Sequence, residues 1–168
     1  MKFEYRHSFD TNVDTLIETM FDPELAPYLT DKMTTIVSIE PLERTEDDRK
    51  IVRKVKYLPV PMIKKIGPKK ITPESMQWME ESTFDKAAKV LTFANVPTHP
   101  KIRAKMTTSG TMQFIARGDQ RSERIVSGEL KVKFPLLGRI AEGIIAKNAS
   151  KILDEEASVV AQYIRSKS

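Results

Sequence analysis

Residues 135–165, PLLGRIAEGIIAKNASKILDEEASVVAQYIR, decide the fold. Leu136, Leu137, Ile140, Ile144, Ile145, Ile152, Leu153, Val159, Val160, Tyr163 and Ile164 keep returning to one broad face of an α-helix. Arg139, Glu142, Lys147, Lys151, Asp154, Glu155, Gln162 and Arg165 take the other face, and the run Asp154-Glu155-Glu156 is assigned mainly to the wet side. Ala141, Gly143, Ala146, Ala149 and Ala157 are mixed into the apolar side. The helix is therefore expected to leave room beneath it rather than fill it.

Upstream, the pattern is one of strands. Phe3, Tyr5, His7 and Phe9 alternate with Lys2, Glu4, Arg6 and Ser8, which predicts a half-buried strand. Asp10 or Asn12 can cap a helix carrying Val13, Leu16, Ile17, Met20 and Phe21, and Asp22-Pro23 can open a second with Leu25, Tyr28 and Leu29. Residues 34–40 and 50–58 read as an antiparallel hairpin turned by the polar stretch 44–48. Residues 58–73 hold four prolines and one glycine, which rules out a central strand, although 60–66 suits a short helical turn. Residues 76–84, 90–94, 103–116 and 123–134 supply four more strands.

Two late strands assign their own faces. Ala104, Met106, Thr108, Gly110, Met112, Phe114 and Ala116 share one side, and Val126, Gly128, Leu130, Val132 and Phe134 share the dry side of the next strand. A sheet with one dry face must cover it, and the C-terminal helix is the element available. The expectation is an α+β fold, a single domain over residues 1–168: a curved antiparallel sheet of about seven strands, in the order β-α-α-β6-α, wrapped around a long C-terminal helix.

That order resembles the START-like (SRPBCC), or helix-grip, superfamily, which includes the birch pollen allergen and polyketide cyclases. The carriers are the opening FEYRHSFDTNVDTLIETMFDPELAPYL and the ending GELKVKFPLLGRIAEGIIAKNASKILDEE. The ending resembles an uncharacterised bacterial branch whose last strand runs through Pro and Gly into the helix. The resemblance implies a cavity for apolar small molecules between sheet and helix. No residue in either stretch marks a reaction, and fold alone assigns no ligand.

Composition narrows the classes further. At 40% hydrophobic and 30% charged residues the chain can bury a core. No run approaches the roughly 18 apolar residues of a membrane span, and MKFEYRHSFD lacks the apolar centre of a signal peptide, so a cytoplasmic location is expected. The absence of cysteine excludes disulfides, thiolate metal sites and cysteine nucleophiles. There is no Gly-x-Ser-x-Gly elbow, phosphate-cradling glycine loop or His-x-x-x-His, and His7 and His99 are the only histidines. No metal, cofactor or catalytic set is expected. Every charged residue between positions 49 and 73 is basic: Arg49, Lys50, Arg53, Lys54, Lys56, Lys64, Lys65, Lys69 and Lys70. A solvated face accounts for such a segment, as does an anionic membrane surface. Nucleic acid is disfavoured, because Tyr57 is the segment's only aromatic residue.

Strand phase places several polar groups on the dry face. His7 is in phase with Phe3 and Tyr5, Arg53 with Ile51 and Tyr57, Glu80 with Trp78 and Phe84, and Thr108 with Met106 and Met112. Arg53 and Glu80 either satisfy each other or meet a ligand, and His7 reads first as a hydrogen-bonded core histidine. The expected ligand-binding residues are His7, Arg53, Tyr57, Trp78, Glu80, Met106, Thr108, Met112 and Ile144. Val60, Met62, Ile63, Lys64, Lys65 and Ile66 are expected to form a gate that touches an anionic membrane. The function expected is noncatalytic binding or transfer of a lipid-like or fatty-acid-like molecule. The alternative is a cyclase- or hydrolase-type enzyme acting on a hydrophobic, polyketide-like substrate through His7, Glu80 and Arg53. The sequence leaves the oligomeric state open.

Overall fold

The computed structural model describes residues 1–61, 64–66, 68–136 and 138–168, with residues 66 and 69 described by their backbone alone. β1 (Lys2–Phe9) leads into α1 (Val13–Met20), capped by Asn12, whose side-chain oxygen accepts the Thr15 N–H at 2.8 Å. α2 (Leu25–Lys32) follows. β2 (Ile36–Glu46) and β3 (Lys50–Pro59) form a hairpin closed by Asp47, which accepts the N–H groups of Arg49 and Lys50 at 2.8 and 2.9 Å. The two-residue strands β4 (Lys65–Ile66) and β5 (Lys69–Lys70) pair with each other, and a 3₁₀ turn at Pro73–Met76 returns the chain to β6 (Trp78–Asp85). β7 (Val90–Pro97), α3 (Pro100–Arg103), β8 (Met106–Ala116), β9 (Ser122–Val132) and α4 (Gly138–Lys167) complete the fold.

The long strands make one antiparallel sheet of seven, in the order β1-β9-β8-β7-β6-β3-β2. Gly110 of β8 faces Gly128 of β9, where a Cβ on either would lie 2.1 or 2.2 Å from a backbone oxygen of the other strand. Only glycine permits that approach, so the pair creases the sheet around the helix. The densest packing joins the sheet to α1, α2 and the last turns of α4, with Leu16, Phe84, Leu91 and Val160 at its centre. The Tyr163 hydroxyl ties α4 to the α1–α2 connection by donating to Asp22 Oδ2 at 2.6 Å. No helix of the described residues is long and apolar enough to cross a membrane.

Several expectations need correction. β2 runs on to Glu46, so Arg44 and Thr45 belong to the strand and the turn moves to Asp47. Residues 103–105 are not strand: Pro100 starts the short helix α3, and Ala104 is exposed. Residues 64–66 enter the β4–β5 ribbon rather than a helical turn, while Met62 and Ile63 and the side chain of Ile66 lie outside the described residues. Phe134 falls beyond the end of β9 and is exposed. The apolar face of α4 is buried only in its C-terminal half, at Ala157, Val159, Val160 and Tyr163. Ile140 and Ile144 are exposed. The acidic run is not simply wet: all three carboxylates are bound, as described next.

Candidate functional site

Antiparallel register turns the inner face of the sheet into rungs. Val55, Glu80, Asn95, Thr108 and Leu130 form one, reading from β3 to β9. Arg53, Ser82, Phe93, Gly110 and Gly128 form the next toward α1, ending on Phe3 of β1. On the other side of the Glu80 rung, Tyr57 is opposite Trp78, and their rings stack at 5.1 Å and 9°. Met106, opposite Val132, closes that end.

Burial divides these rungs in two. Toward α1, Ile51, Phe84, Leu91, Phe114, Arg124 and Val126 are buried. Toward α3 and the ribbon, Val55, Leu130 and Val132 are buried, but Tyr57, Trp78, Glu80, Asn95, Met106 and Thr108 are only half-buried, and no residue of α4 before Ala157 is buried. The inner face is fully packed toward α1 and incompletely covered toward α3.

A polar band lies at the boundary. Arg53 Nη2 stands 3.7 Å from Glu80 Oε1, Nη1 donates to the Met20 carbonyl at 3.3 Å, and the guanidinium lies over the Phe21 ring at 4.7 Å. Among the described residues, the buried Arg53 Nε and Asn95 Oδ1 have no hydrogen-bond partner. Burial pushes the Glu80 carboxyl above the usual glutamate range; Arg53 opposes the shift and the carboxylate of Glu156 adds to it. The Tyr57 hydroxyl is pushed up as well, chiefly by burial and then by Glu80.

α4 contributes the facing charges. Arg124, with a side chain 0% exposed, donates from Nη1 to Glu156 Oε2 at 2.8 Å. Its Nη2 contacts His7 Nδ1 at 3.4 Å, and His7 Nε2 lies 2.9 Å from Asp154 Oδ1. Arginine can only donate, so Nδ1 accepts and Nε2 carries the proton given to Asp154. Glu155 accepts four hydrogen bonds, from the N–H and hydroxyl groups of Thr34 and Thr35 at 2.5 to 2.9 Å. Tyr5 donates to the Ala146 carbonyl at 2.8 Å, fastening the open half of α4 to β1.

The structure thus brings Arg53, Glu80, Tyr57 and Trp78 together, with Met106 and Thr108 on the same open inner face. It does not bring His7 to them, since both its ring nitrogens are engaged elsewhere. Met112 packs at the edge of the core, Ile144 is exposed on α4, and Val60, Lys64 and Lys65 lie at the open end. Arg124, Glu156 and Asn95 are the additions. Arg124 has the phase of Val126 one step earlier in the strand, and that alternation was the available signal. Among the described residues no three His, Asp or Glu side chains gather to hold a metal ion. Two hollows of about 620 and 650 Å³ open on the outer face, lined largely by polar side chains such as Glu4, Ser109, Ser127, Lys54 and Thr83. Most of their lining is outer-face, with Arg53, Ser82 and Phe93 of the inner rung at the edge of the second.

A curved antiparallel sheet gripping a long C-terminal helix, with two short helices after the first strand, is the START-like, helix-grip fold. Solved structures agree. Norcoclaurine synthase of Thalictrum flavum, in complex with a transition-state analogue, superposes with a TM-score of 0.70 at 14% identity over 100% of this chain and 96% of that one. The Zhui aromatase/cyclase of a Streptomyces species gives 0.64 at 13% over 98% and 93%. A START superfamily protein of Mycobacterium smegmatis gives 0.59 at 10% over 99% of each chain. A search of curated proteins finds no match. The model of the family described as "Protein of unknown function (DUF2505)" matches residues 4–164, and the chain belongs to that family.

Proposed function

We propose that the protein binds or transfers an apolar small molecule with one polar end, held between the open half of the sheet and α4. The observation that carries this reading is the split inner face. Tyr57, Trp78 and Met106 are apolar or aromatic, face inward, and yet are incompletely buried. Covering them with hydrocarbon would supply roughly 0.8 kcal/mol per buried CH₂. The polar end has a place at the band, where Arg53 Nε and Asn95 Oδ1 are buried without partners and a ligand oxygen or hydroxyl would satisfy them. Norcoclaurine synthase and the Zhui aromatase/cyclase share this fold, which supports a small organic molecule as the partner.

Trp78 is the chain's only tryptophan and is therefore a built-in reporter. Titration with a long-chain fatty acid and with its methyl ester is expected to change Trp78 emission saturably. Arg53→Met should weaken the acid about tenfold or more, the loss of one charge-assisted hydrogen bond, and the ester less. Emission unmoved by either probe would argue against the reading.

One observation favours an enzyme instead: the raised Glu80 carboxyl beside Arg53, a pairing suited to proton transfer next to a stabilised oxyanion. Under that alternative, Glu80→Gln would abolish turnover of a hydrophobic, polyketide-like substrate while leaving its binding intact.

A further inference from the structure

The open end of the fold has an unusual rim. Three connections meet there, because β3, β7 and β9 end, and β6 and β8 begin, on the same side of the sheet. They are residues 60–77, 98–105 and 133–141. These segments contain four, three and two basic residues respectively against one acidic residue, the exposed Glu74. Lys65, Lys70, Lys101, Arg103, Lys133 and Arg139 are exposed. Glu142, just beyond, is occupied: it accepts the Val132 N–H at 3.0 Å and lies 3.8 Å from the terminal amine.

Apolar side chains stand out of the same rim. Leu136 is 101% exposed and Ile140 61%, with Val60, Phe134 and Ile144 also exposed. Leu136 has positive φ (65°), two residues before α4 begins at Gly138. Lys105 Nζ sits 4.7 Å from the centre of the Phe134 ring and links the second connection to the third. The Lys133 N–H donates to the Lys105 carbonyl at 2.7 Å, so these two segments form one unit.

We infer that this rim docks on an anionic lipid bilayer, with Leu136, Ile140 and Phe134 entering the interface and the surrounding Lys and Arg over acidic headgroups. The charge pattern selects this occupant. A second copy on a two-fold axis would bring two predominantly basic surfaces together, and like charges repel at that range. An anionic bilayer complements the charge, and its fluid interface accepts side chains that project singly from separate loops. Docking would turn the open inner face toward the lipid. It rests on the proposed function for its purpose, because the bilayer would then be the source or destination of the ligand. Binding to vesicles needs no ligand and can be read independently.

The test is flotation with vesicles of phosphatidylcholine alone and of phosphatidylcholine mixed with phosphatidylglycerol. Bound protein should rise with phosphatidylglycerol content and fall as salt is added. Lys133→Ala and Arg139→Ala should each lower affinity about fivefold, the worth of one cation near an acidic surface. Leu136→Asp with Ile140→Asp should abolish binding without changing the melting temperature, since both side chains lie in water. Leu42→Asp, at an exposed site on β2, should bind as the unmodified protein does. Binding indifferent to phosphatidylglycerol, or a Leu136→Asp/Ile140→Asp protein that binds normally, would overturn the inference. So would a concentration-dependent dimer that the same double substitution dissociates. If Trp78 still reports ligand while vesicles are ignored, docking fails and the ligand reading stands; if vesicles bind and Trp78 is silent, the reverse holds.

Discussion

Arg124 carries a charge with no exposed surface, and Glu156 is what makes that tolerable. Breaking a buried pair from one side leaves the other charge uncompensated, so Glu156→Leu should cost about 3 kcal/mol in urea denaturation. Arg124→Met in addition should recover most of that loss, because two apolar groups can replace a buried ion pair with little penalty. The two unusual glutamates titrate in opposite senses. Burial raises Glu80, so the native state holds its proton more tightly than the unfolded chain does. Stability therefore falls as pH rises from the ordinary glutamate range through the native value, and Glu80→Gln should flatten that slope. For Glu155 burial also pushes upward, but the hydrogen bonds from Thr35 and Thr34 outweigh it and hold the carboxyl low. Its stabilisation is present above the ordinary range and lost as pH falls through the lowered native value, so Glu155→Gln should lessen acid sensitivity while lowering stability at neutral pH. At this scale the sequence was partly legible. Strand alternation puts Arg53 and Glu80 on one face, but it cannot say that Glu155 and Glu156, adjacent on a helix, reach different partners. Such partners come from tertiary contacts far along the chain.

Among the elements, β8 and β9 set the curvature. Gly110→Ala would place a methyl group 2.1 Å from the Ser127 oxygen, where only backbone can give way. The expected cost is about 1–3 kcal/mol or more, read as a lower midpoint of thermal unfolding. At Gly118, with φ of 115° and open space around it, substitution by Asn should cost backbone strain without a clash, and so less than Gly110→Ala. β1, β8 and most of β9 were readable because one face is covered and the other largely wet, although Ile125 on the outer phase of β9 is buried. The α3 segment was not: residues 103–105 continue the alternation of β8, but Pro100 and the helical turn it starts take them out of the sheet. α4 misled differently. Its apolar spacing persists through Ile140 and Ile144, which are exposed, because periodicity reports a face and not what covers it.

For the whole molecule, the order of elements was sufficient to indicate the helix-grip fold, since an antiparallel sheet with one dry face and one long amphipathic helix has few ways to close. The division of the interior into a packed end and an open end was not legible. It depends on which parts of the sheet and of α4 the other elements cover, and tertiary placement is absent from local pattern. That division carries the functional account, and native mass spectrometry of the purified protein followed by solvent extraction tests it most directly. The account predicts a one-to-one apolar adduct, either carried from the host or taken up from a lipid extract, that Arg53→Met weakens. A bare polypeptide mass after incubation with lipid extract, identical for the protein and for Arg53→Met, would contradict it.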